Sequence, residues 1–148
     1  MKNKKILRIT LTAILAALAL ALSFIERLFL AAFPLPMGIK PGFSNIIVMF
    51  ACTVTGLLPA LSIALIKAGF AALLSGISSG FISLCGGIFS VITMYLMNKI
   101  PKEKISYTGI SVLSALMHNI GQLTAASIIA GSGLFGSFIP ILLISGTV

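Results

Sequence analysis

The chain has 148 residues, of which 59% are hydrophobic and only 8% charged, with a mean hydropathy of +1.21 and a formal net charge of +8. Soluble domains carry about 25% charged residues, so this composition excludes a water-soluble globular protein and marks an integral membrane protein. Nor does the basic excess indicate nucleic-acid binding, because it gathers at Lys2/Lys4/Lys5/Arg8 and at Lys99/Lys102/Lys104, as positive charge does on the cytoplasmic side of a membrane protein.

Apolar runs separated by Gly/Pro/Lys clusters predict helices rather than the alternating strands of a barrel. The first helix is expected from about Ile9 to Ala32, long enough to span with some tilt. Basic residues followed by an apolar run and Ala-Leu-Ala resemble a signal peptide. The run carries on to Ala32 and more spans follow, so a retained helix is expected. The stretch from Pro34 to Asn45 then breaks the pattern: Pro34, Pro36 and Pro41 oppose helix, and Gly38 and Gly42 allow tight backbone. It reads as a shaped loop carrying Lys40, with Asn45 on the first turn of a second helix from about Phe43 to Leu57, which Ser44 is placed to cap.

Thr55–Pro59 reads as a turn, with Pro59 suited to the first turn of a third helix that ends near Ser75. Gly76–Gly80 is expected to separate it from a fourth helix, Phe81 to Asn98. The polar link Lys99–Lys104 precedes a fifth helix, Tyr107 to Ala130. A sixth begins near Ser137 and has about 12 residues, roughly 18 Å of rise against a hydrocarbon core of about 30 Å, so it is expected to be incomplete. The fold class is therefore a single all-α transmembrane domain over residues 1–148, five full spans plus a truncated sixth. With the N-terminus cytoplasmic, counting crossings puts both basic clusters on one side and the Pro34–Gly42 loop outside.

Cys52 and Cys85 lie inside apolar runs and read as small core residues, neither a disulfide nor a metal pair. On the first helix Ala13, Ala17 and Ala21 recur every four residues, a smooth stripe where another helix can approach. Alanine is abundant here, and the stripe is equally what chance would give. Glu26 falls on nearly the opposite face, and Arg27, about 100° further round, does not pair with it. Lys67 sits mid-way along the third helix, where an ammonium costs on the order of 2.5–3.5 kcal/mol unless a counter-charge or polar cavity receives it. It is either the partner of Glu26 or a ligand contact. On the fifth helix Ser111, Ser114, His118 and Gln122 align, flanked by Asn119; these groups bridge helices or line a cavity. Lys40, Asn45, Lys67, His118, Asn119 and Gln122, with Glu26, form the candidate binding set. Cationic and amide groups suit a small anionic or carbonyl-rich ligand, and the near absence of carboxylate and thiolate speaks against a metal ion. No motif for a cofactor is present.

The runs Ser23-Phe-Ile-Glu-Arg27, Gly38-Ile-Lys-Pro-Gly-Phe-Ser-Asn45 and His118-Asn-Ile-Gly-Gln122 together resemble the Gx transporter family, also labelled heptaprenyl diphosphate synthase component I. The likeness extends from about Arg8 to the C-terminus. Family members typically show Gly-Ile-Lys-Leu-Gly-Leu-Ala-Asn, from which Pro41, Phe43 and Ser44 depart, and Lys67 stands where an arginine is common. The family is similar to the substrate-binding S components of energy-coupling factor (ECF) transporters. That resemblance implies a six-helix bundle, a lid after the first helix, and docking of helix-1 small residues on a membrane coupling subunit that works with two ATPases. The other label implies an accessory role in polyprenyl diphosphate synthesis. Catalysis by the chain itself is not expected: an allylic diphosphate is ionised with Mg²⁺ on aspartate-rich motifs, and this chain has no aspartate, its acids being Glu26 and Glu103.

Overall fold

A computed structural model describes residues 2–32, 43–100 and 106–131. They form five helices: α1 (Lys2–Ala32), α2 (Phe43–Val54), α3 (Leu57–Ser75), α4 (Ile77–Met97) and α5 (Tyr107–Ala130). Four of these, α1, α3, α4 and α5, are long and apolar enough to cross a membrane. No strand occurs among the described residues. The chain is a helical, multi-pass membrane protein.

Three boundaries differ from the sequence expectation. α1 begins at Lys2 rather than near Ile9, because Lys, Arg, Ile and Leu all favour helix and nothing interrupts them. Its 31 residues rise about 46 Å, more than a hydrocarbon core of about 30 Å, so the helix is longer than the apolar layer that holds it. α2 is the main correction. Its 12 residues rise about 18 Å, too short to span, so the five full spans expected reduce to four. α4 begins at Ile77, not Phe81, because Gly76 alone breaks the chain, at φ 88°. The proposed sixth helix and the Pro34–Gly42 loop lie outside the described residues.

The Thr55–Pro59 turn acts as read. Gly56 turns at φ 97° and Pro59 lies in the first turn of α3. α5 is capped by Ser106, whose Oγ accepts from Thr108 N–H at 3.3 Å, and ends at left-handed Gly131.

Bare glycines hold the bundle together. A Cβ on Gly80 would lie 2.5 Å from Ala72 Cβ, and one on Gly87 3.1 Å from Ala64 Cβ, so α3 and α4 meet through Gly and Ala and run antiparallel. Gly121 of α5 rests on the Cys85 carbonyl and Gly86 of α4. α1 packs on α2 and α3, and α2 also reaches α4 and α5. Leu15, Ala19, Ala51, Ile63, Val91 and Met94 fill the common core. Leu65, Leu73, Ile92 and Ile128 stay exposed, as side chains facing lipid do.

Candidate functional site

The site is built where α2 starts. Arg27 Nη1 donates to Ser75 Oγ, which brings the last turns of α1 and α3 to the same end of the bundle. Glu26, its neighbour in sequence, points the other way, inward, and is only 9% exposed. The two adjacent charges therefore serve different helices, as their 100° separation requires.

Glu26 receives the first turn of α2. Ser44 N–H donates to Glu26 Oε1 at 2.9 Å, and Ser44 Oγ donates to Oε2 at 3.2 Å. The expected cap by Ser44 is thus replaced by a carboxylate from α1, which satisfies an otherwise orphan N–H and meets the positive end of the α2 dipole. Lys67 Nζ donates to the same Ser44 Oγ at 2.9 Å and to Asn45 Oδ1 at 3.3 Å. The Ser44 hydroxyl stands between acid and base, accepting from one and donating to the other.

Depth follows from position along α3. Lys67 lies eight residues before Ser75 and ten after Leu57, about 12 Å and 15 Å of helical rise. α2 therefore opens its N-terminus near the middle of the span. Membrane proteins tolerate a helix end at that depth where it lines a cavity or is buried in protein.

A small cavity with both polar and apolar walls adjoins this node. Its walls are Asn45 and Val48 of α2, Ala64 and Lys67 of α3, Ser83, Gly87 and Ser90 of α4, and His118 of α5. The volume is about 10 Å³, room for roughly one water molecule. A larger molecule enters only by displacing wall side chains.

Of the candidate residues, Glu26, Asn45, Lys67 and His118 come together around this node. Gln122 packs one turn away, where its Cγ fills the space over Gly86. Asn119 is half-buried and Gln122 likewise, and neither forms part of the cavity wall. Ser114 is fully buried, but its hydroxyl bonds back to the Ile110 carbonyl at 2.7 Å, so it serves its own helix. Lys40 lies outside the described residues. No group of three or more His, Cys, Asp or Glu forms among the described residues.

The sequence reading missed Ser83 and Ser90 and took Ser44 only as a cap. Ser83, Gly87 and Ser90 follow i, i+4, i+7 on one face of α4, so helical spacing alone could have found them. The alanine stripe lies on the outer surface of α1: Ala13, Ala17 and Ala21 are exposed while Leu15, Ala16, Ala19 and Glu26 are buried.

A family profile described as heptaprenyl diphosphate synthase component I matches residues 15–148. The chain belongs to that family. No curated protein and no solved structure matches it.

Proposed function

We propose that this chain is the substrate-binding membrane subunit of an uptake transporter of the ECF type, an S-component-like protein that holds a small anionic or carbonyl-rich molecule. The observation that carries this reading is the mid-depth opening of α2, with Lys67, Asn45 and His118 gathered at one cavity. Ionisable side chains within a membrane are costly and mark substrate pathways, and half-helix N-termini near the midplane receive substrate groups in secondary transporters. Within this reading the cell membrane is the site, the N-terminus is cytoplasmic, and the exposed face of Ala13, Ala17 and Ala21 docks on a coupling subunit served by two ATPases.

The family description supports a second reading, a membrane accessory subunit of heptaprenyl diphosphate synthase. On that reading the partner is the catalytic component. The chain itself is not an enzyme on either reading, since it has no aspartate and one of its two acids, Glu26, is committed to Ser44.

Purification in mild detergent tests both. The first reading expects a small polar molecule, identified by mass spectrometry, at near-stoichiometric amount in the wild type and absent from folded Lys67→Met, with ATPases among the retained proteins. Recovery of a prenyl diphosphate synthase subunit, with no bound small molecule, overturns it in favour of the second.

A further inference from the structure

Ser90 is a polar residue of the cavity wall, deep in the bundle. It lies about two-thirds of the way along α4, is 2% exposed, and its Oγ has no hydrogen-bond partner among the described residues. Serine hydroxyls in membrane helices commonly bond back to their own backbone, as Ser114 and Thr93 do here. Ser90 does not. A buried hydroxyl left unsatisfied costs stability, more so in an apolar surrounding, and Ala would fit the same space without that cost. Its position supplies the reason: Ser90 shares the cavity wall with Lys67, Asn45 and His118.

We infer that Ser90 is a ligand contact, which hydrogen-bonds a molecule bound in the cavity it shares with Lys67. This deepens the transporter reading and rests on it. The chemistry narrows the ligand. Lys67 supplies only N–H donors, so the molecule presents an oxygen acceptor there, while a serine hydroxyl both donates and accepts. Glu26 already balances Lys67 through Ser44. A further full negative charge at this depth would have to share a lysine that already faces an acid across one hydroxyl. Of the two ligand classes in play, the site therefore takes the carbonyl-rich molecule without net charge.

The test compares Ser90→Ala with the wild type and Lys67→Met, each purified in lipid nanodiscs. Melting is followed by circular dichroism after bound small molecules are stripped, and the molecules carried before stripping are quantified by mass spectrometry. Stripped Ser90→Ala is expected to melt about 3 °C above stripped wild type, because an orphan hydroxyl is gone. Before stripping it should carry clearly less ligand than the wild type, since one missing hydrogen bond of about 1.4 kcal/mol weakens affinity about tenfold. A melting point at or below wild type would show a structural hydroxyl and overturn the inference. So would a full ligand load, or a ligand carrying a net negative charge. If Ser90→Ala and Lys67→Met both keep their ligand, the transporter-site reading itself fails; if only Ser90→Ala keeps it, the failure is confined to Ser90.

Discussion

Replacing Glu26 with Gln tests whether one carboxylate holds the centre of the protein. The substitution keeps size and shape but removes the charge that accepts from Ser44 N–H and Ser44 Oγ. Hydrogen bonds to a charged group contribute about 1.5–3 kcal/mol each. With the acid gone, Lys67 also stays at mid-depth without its counter-charge, and breaking one side of a buried ionic network costs about 3–5 kcal/mol. The amide oxygen can still accept one of the two bonds, so the lower part of that range, about 3 kcal/mol, is expected. At about 2–4 °C per kcal/mol for a chain of this size, Glu26→Gln should lower the melting temperature by roughly 10 °C. Lys67→Met should also destabilise, because it strands Glu26. The double variant should recover a coupling of at least about 2 kcal/mol relative to the sum of the singles. Melting of the three variants in nanodiscs, read by circular dichroism, decides the matter. A Glu26→Gln shift within about 2 °C, or singles that simply add, would refute the Ser44-bridged network.

Three further expectations concern packing, docking and orientation. Gly121→Ala should cost about 1–3 kcal/mol, since its Cβ would lie 2.9 Å from the Cys85 carbonyl, while Gly69→Ala, with nothing within 4 Å, should be neutral or slightly stabilising by melting. Ala17→Trp should leave the melting temperature within about 2 °C, because position 17 is exposed, yet remove ATPases from a pull-down; unchanged recovery in Ala13→Trp, Ala17→Trp and Ala21→Trp alike would refute the docking role. With Cys52 and Cys85 replaced by Ala, a cysteine at exposed Ser78 should label from outside whole cells with an impermeant thiol reagent and one at exposed Lys4 should not; labelling at position 4 would reverse the orientation.

Element existence was legible because long apolar runs leave the backbone no choice in a membrane: α3 begins at Gly56 and ends at Gly76, inside the turn and the glycine break the sequence marks, whereas the Ser106 cap of α5 was not singled out. Helix length was less legible where sequence lacks a stop. Nothing between Lys2 and Ile9 opposes helix, so α1 extends through its basic residues. The reverse held at Gly76–Gly80, where two glycines suggested a loop. Only Gly76 takes positive φ; Gly80 is a packing residue against Ala72, and a glycine's two uses look alike in one sequence.

The site divides along the same line, between what a residue costs and what it touches. Glu26 and Lys67 were conspicuous because charge within an apolar span is expensive wherever it points. Their faces followed from helical spacing, which placed Glu26 opposite the alanine stripe and separated it from Arg27. Whether Lys67 pairs or binds was posed as a choice; in the structure Ser44 links Lys67 to Glu26, and the same lysine walls the cavity. That outcome turns on the length of α2. Had α2 spanned the membrane, Ser44 would lie at its surface end, Lys67 would have no hydroxyl at mid-depth, and Glu26 would have no helix end to cap. A 12-residue helix instead brings an N-terminus, a hydroxyl and an amide to the depth of the lysine. Hydropathy per residue does not report that depth, because Phe43 to Val54 is as apolar as a spanning segment and differs from one in its length and in where its first turn finds a partner.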